Sequence, residues 1–146
     1  MDRLKKIQNQ IESFYEVPTG LDVRDFVRPT PGFRGLGELL VEQVDGDLNL
    51  ALLFDREILK DFFDPSSTPQ SFRAFTVVSE EISHFVYLSF NHNRGRNVTA
   101  LEMEMQSEVD RILLGFHAPE VLSTTTQDFR ELARSSLQAA LALRRA

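Results

Sequence analysis

An Asp45-Gly46 pair set between two alternating apolar runs constrains this chain more than any other feature. A two-residue type I′ turn needs positive φ at both central positions, which aspartate tolerates and glycine adopts freely. Centring a hairpin on the pair brings Val44 opposite Asp47, Val41 opposite Leu50, and Leu39 opposite Leu52. One face then collects Leu39, Val41, Leu48, Leu50, Leu52 and Phe54, with Gln43 its polar member, while Glu42, Asp47 and Asn49 take the other. A slip of one residue would turn every side chain to the wrong face, so turn chemistry and alternation together fix the register. A lone hairpin is marginal in water, and a third strand or a helix must cover its apolar side.

The flanking segments supply candidates for that cover. Leu4, Ile7, Ile11 and Phe14 recur at helical spacing, which predicts a helix over 2–15 ending before Pro18-Thr19-Gly20. Leu21–Arg28 alternates loosely and reads as an edge strand, with Pro29, Pro31 and Gly32 forcing a turn after it. Gly32, Gly35 and Gly37 follow prolines and precede a strand, the reverse of a phosphate-binding loop, which follows a strand and opens a helix. Asp55–Phe63 reads as a short helix, and Thr68-Pro69 suits the N-cap and first turn of a long one over Gln70–Asn91. Thr99 and Glu102 form a capping-box pattern that starts the next helix, ending near Gly115. After Pro119 and the run Ser123–Thr126, a last helix with a stripe of Phe129, Leu132, Ala133, Leu137, Ala140 and Leu141 extends to the C-terminus, where Arg144-Arg145 suit its dipole. The expectation is one α+β domain over 1–146: a small antiparallel sheet with a central β-hairpin, packed against four or five helices.

Composition narrows the function classes. There is no cysteine among the 146 residues, which excludes disulfides, cysteine-ligated zinc, iron–sulfur clusters and thiol catalysis. The basic residues near Met1 lack an apolar run behind them, so no secretory signal is read, and no stretch reaches the roughly 20 apolar residues of a membrane helix. A soluble cytoplasmic protein is therefore expected. The net charge of −6 equals the balance of Glu38–Asp64, where eight acids face only Arg56 and Lys60. An acidic surface of that kind disfavours nucleic acid, whose binding depends on neutralising phosphates.

The stretch Val77–Leu114 concentrates the residues that could carry chemistry: Glu80, Glu81, His84 and Tyr87 in one helix, and Glu102, Glu104, Glu108 and Asp110 in the next. Burying charge is costly unless it is paired, so such groups are either satisfied structurally or retained for a site. The first helix is apolar on nearly all sides, which predicts a central position and a partly buried His84. In the second, Leu101, Met105 and Ile112 read as the packing stripe, with Glu108 at its centre and Glu104 on its flank; Glu102 and Asp110 fall outside it and are expected to face solvent. The short connection makes the helices antiparallel and sets Glu104 and Glu108 within reach of His84.

Three arrangements fit. Buried hydrogen bonds among His84, Glu108 and Tyr87 could simply fix the helical register. Alternatively, Glu81-x-x-His84 could supply two ligands one turn apart to a divalent transition metal, with Glu104 and Glu108 completing the shell. Di-iron carboxylate bundles use that pair twice, whereas one copy here limits the site to a mononuclear one. Thirdly, His84 or Glu108 could act as a general acid or base. His92 and His117 are expected in solvated loops, as is the basic run Asn91–Arg96, and no G-x-S-x-G nucleophile motif occurs.

The run Ser83-His84-Phe85-Val86-Tyr87-Leu88, with Leu101–Asp110 after it, resembles a pattern found in small uncharacterised bacterial proteins. That resemblance implies no fold, activity or ligand. The functional expectation is a non-enzymatic cytoplasmic interaction protein, an adaptor or small chaperone. It would need no cofactor, membrane or nucleic acid, and would bind a protein partner or a second copy in a homodimer. The alternative is a metal-dependent or acid/base enzyme using His84 with Glu81, Glu104 and Glu108.

Overall fold

In the computed structural model, which describes residues 2–33, 36–64, 66, 68–117, 131, 134 and 138, both turn residues take positive φ, 51° at Asp45 and 85° at Gly46. They join β2 (Gly37–Val44) to β3 (Asp47–Asp55) in the expected register, from Val44 opposite Asp47 to Gly37 opposite Phe54. The apolar face is covered only at the base of the hairpin. Leu52 and Phe54 are fully buried, while Val41 nearer the tip is exposed.

The third strand, β1 (Val27–Thr30), runs parallel to β3 on its other edge, pairing Val27 with Leu52 and Thr30 with Asp55. The sheet order is β1-β3-β2, so the expected antiparallel hairpin sits within a mixed sheet. The strand begins later than alternation suggested. Asp22 accepts the Arg24 N–H at 3.0 Å and caps a 3-10 turn over Val23–Asp25, a local side-chain bond that competes with extended backbone. Pro29 is tolerated because β1 is an edge and needs no second ladder of donors.

Helix α1 (Asp2–Tyr15) buries Leu4, Ile7 and Ile11, as its spacing predicts. Gln8, also fully buried, accepts from the Val23 N–H at 2.9 Å and donates to the Leu21 carbonyl at 2.8 Å, fastening the following loop. Asp55 caps α2 (Arg56–Phe63) by accepting the Glu57 N–H at 2.8 Å. Thr68 and Ser71 form a capping box at the start of α3 (Pro69–Asn93). Helix α3 packs against α1, α2, β2, β3 and α4 (Ala100–His117), which is why it is apolar nearly all round. Gly37 is dictated by this packing: a Cβ there would stand 2.9 Å from a Val77 methyl and 3.0 Å from the Phe54 ring.

The capping box at α4 forms as expected, with the Thr99 N–H donating to Glu102 at 2.8 Å and the Glu102 N–H donating to Thr99 at 3.2 Å. Arg96 latches the connection by donating to Asn91 at 2.9 Å and to the Tyr87 hydroxyl at 3.3 Å on α3, and to Glu102 on α4. The basic loop is thus a clasp between helices, and His92 lies not in that loop but half-buried in the last turn of α3. His117 closes α4, and its side chain lies outside the described residues. So does the expected C-terminal helix, apart from Glu131, Arg134 and Gln138, which are helical and exposed. The fold is α+β. Among the described residues, no helix is long and apolar enough to cross a membrane.

Candidate metal centre

Helix α4 sits the opposite way round from its sequence expectation. Leu101, Met105 and Val109 point away from the body and are 57%, 53% and 47% exposed, whereas Ser107 and Asp110 are buried at 0% and 1%. The expectation that Leu101 and Met105 pack inward and Asp110 faces solvent is therefore overturned. Periodicity locates an apolar stripe but not what it faces, and α3 presents Ser79, Ser83 and His84 along with its apolar groups, so a partly polar face of α4 fits better there. Ser83 donates to Asp110 across the seam, and the Tyr15 hydroxyl and Gln106 Nε2, the latter at 3.0 Å, also bond to it. Burial still raises the Asp110 pKa above its ordinary value, against the opposing effect of those donors. Beside this network lies a cleft of about 230 Å³ with walls from Ile11, Val17, Val86 and Phe90.

On the other flank of the seam stand Glu80, Glu81 and His84 from α3 with Glu104, Glu108 and Arg111 from α4. His84 is 6% exposed and Glu81 7%. The His84 Nδ1 lies 3.4 Å from a Glu81 carboxylate oxygen, which in the neutral ring favours the proton on Nδ1 and the lone pair on Nε2. That Nε2 atom is buried, has no hydrogen-bond partner, and lies 3.8 Å from Glu104 Oε1. One donor atom each from Glu80, His84 and Glu104 falls within 4.8 Å of the others. Burial disfavours a protonated imidazole, but the Glu81 hydrogen bond and the charges of Glu81, Glu104 and Glu80 outweigh it and raise the His84 pKa above the ordinary value. The Glu80 pKa is raised too, in this case by burial itself, despite Arg111.

Glu108, a leading sequence candidate, turns to Arg111 instead of His84. Arg111 also bonds Glu80 at 3.2 Å, so its guanidinium bridges the two helices with only 9% of its side chain exposed. Tyr87 is likewise directed away, toward Arg96. Of the expected metal ligands, His84 and Glu104 are brought together, Glu81 orients the histidine from behind, and Glu80 takes the place expected for Glu108. Glu80 was findable, because i and i+4 share a helix face and Glu80 stands four residues before His84. Arg111 was findable too, as the lone cation within the acidic Glu102–Asp110 turns and the residue after them.

No protein-family model, curated protein or solved structure matches the chain.

Proposed function

We propose that the α3–α4 seam is a mononuclear divalent-metal site, with Glu80, His84 and Glu104 as ligands and Glu81 as the carboxylate that orients the histidine. The observation that carries this reading is the buried, unpartnered His84 Nε2 directed at two carboxylates. Buried polar atoms normally have partners, and an orphan calls for a specific reason. Tetrahedral ligands about 2.0–2.2 Å from a zinc-like ion stand about 3.4 Å apart, so the donors need to close by about 1 Å. One imidazole and two carboxylates suit zinc or manganese better than softer ions. Three protein ligands leave a coordination position open, and Glu104, with its side chain 55% exposed, puts that position at the surface. A centre of that type activates water or polarises an oxygen of a bound molecule, the metal-dependent chemistry that the His/Glu cluster suggests. A cytoplasmic location belongs to the same reading.

The test is calorimetric titration of the chelator-treated protein with Zn²⁺ and Mn²⁺, paired with elemental analysis as purified. One ion per chain is expected, lost in His84→Ala and weakened about 10–100-fold in Glu81→Gln. No binding by the wild-type chain, or equal binding by His84→Ala, overturns the proposal. The partner-binding role expected from the sequence draws on a different surface, the outward apolar face of α4. It is the weaker reading because, among the described residues, nothing on that face selects one partner.

A further inference from the structure

The cleft beside Asp110 is apolar except at one spot. Its volume is about 230 Å³, with Ile11 and Val17 on the α1 side and Val86 and Phe90 on the α3 side. Tyr15, Gln106 and Asp110 also line it, and because they bond to one another they form a single polar patch. Asp110 is 1% exposed, and the groups that hydrogen-bond to it, Ser83, Tyr15 and Gln106, are all neutral. Among the described residues it takes part in no ion pair. The patch has also spent its donors. The Ser83 and Tyr15 hydroxyls give their protons to Asp110, and the Gln106 amide donates to Asp110 and to the Tyr15 oxygen. A carboxylate accepts about four hydrogen bonds, so Asp110 keeps one acceptor position, and the Tyr15 oxygen and Gln106 carbonyl add others. Burial disfavours the ionised carboxyl, and a positive charge brought by a ligand offsets that cost.

We propose that this cleft binds a small primary ammonium carried on one apolar body, of the arylalkylamine class, with the ammonium at Asp110 and the ring between Val17 and Val86. An alkylammonium has three donors and no acceptor, which is what a patch of spare acceptors around an unpaired carboxylate takes. The aromatic faces of Tyr15, Tyr87 and Phe90 suit a cation and a ring alike. Size agrees as well. An apolar cavity of about 150 Å³ already holds benzene, so this cleft has room for a ring and a short arm. An anion would meet the Asp110 charge without a donor to receive it. The cleft and the His84 cluster stand on opposite flanks of the seam, and neither reading rests on the other.

The test is an NMR titration of the isotope-labelled full-length chain, in chelator so that no amine binds through a metal. The probes are 2-phenylethylamine and two controls of similar shape, the neutral 2-phenylethanol and the anionic 3-phenylpropionate. Expected is saturable binding of the amine with a Kd of about 1 mM or tighter, shifting the amides of Val86 and Phe90, and at least about tenfold weaker binding of either control. Asp110→Asn keeps the shape and removes the charge, and should bring the amine down to the level of the alcohol. Val17→Trp fills the cleft from the loop after α1, away from the Asp110 bonds, and should weaken the amine at least about tenfold. It carries the test if Asp110→Asn does not fold. No saturable binding of the amine, a control bound as tightly as the amine, or full amine affinity in either folded variant overturns the proposal.

Discussion

The hairpin and the α3–α4 seam obey opposite rules. In β2–β3 the apolar residues Leu52 and Phe54 are inside and the acids Glu42 and Asp47 outside. In the seam Glu81, His84, Asp110 and Arg111 are inside, while Leu101, Met105 and Val109 are outside. The first arrangement is held by area removed from water. The second is held by a small number of paired charges and directed hydrogen bonds, which contribute little net stability when complete and cost several kcal/mol when one member is missing. A seam that gives up apolar burial for polar groups is a place to look for function, and the hairpin is not.

The comparison breaks most visibly at Phe54. Phe54→Ala removes a fully buried ring at the base of the sheet and is expected to cost about 3–5 kcal/mol in urea unfolding. A loss below about 1 kcal/mol would mean that burial is not what holds this half. Next in size is Arg111→Ala, which strands Glu80 and Glu108. Their side chains are 30% and 22% exposed, so water reaches them and the expected cost is nearer about 2–3 kcal/mol than that of a sealed pair. Unfolding curves for Arg111→Ala that overlay the wild type would reduce the seam's ion pairs to surface decoration.

The smallest effect is a slope. The pKa of Asp110 in the folded chain is raised, so the folded state binds that proton more tightly than the unfolded one. The resulting stability is fully present below the ordinary carboxylate pKa and declines as pH rises through the raised value. Asp110→Asn is expected to remove this part of the decline as pH rises above the ordinary carboxylate range of about 4, measured by urea titration in chelator. Identical pH slopes in wild type and variant would show that Asp110 titrates as it does in the unfolded chain.

Legibility in the sequence follows the same divide. The hairpin register could be read to the residue because a period of two and a turn needing positive φ leave one solution. The capping boxes of Thr68-Ser71 and Thr99-Glu102 bound the seam helices for a similarly local reason, although the first was visible only as Thr68-Pro69. What failed was orientation. The α4 stripe was visible, but which of two faces meets α3 depends on complementarity with side chains such as Ser83, about one helical hairpin away in sequence. The site was half legible for that reason. His84 and Glu104 could be paired by helix length alone and Glu80 by its spacing from His84, whereas losing Glu108 to Arg111 needed the rotation of α4.

The Arg96 clasp has a consequence for the order of assembly. Its contacts reach only from Tyr87 to Glu102, so they close short loops and form without waiting for distant chain. The parallel pairing of Val27 with Leu52 must instead bring together residues separated by an entire hairpin. The clasp therefore sets the turn between the seam helices locally, whereas Ser83–Asp110 further along the seam spans 27 residues, no fewer than Val27–Leu52. Of the seam, it is the turn and the first residues of α4 that the chain fixes from near neighbours alone, and Glu104 stands one turn beyond them.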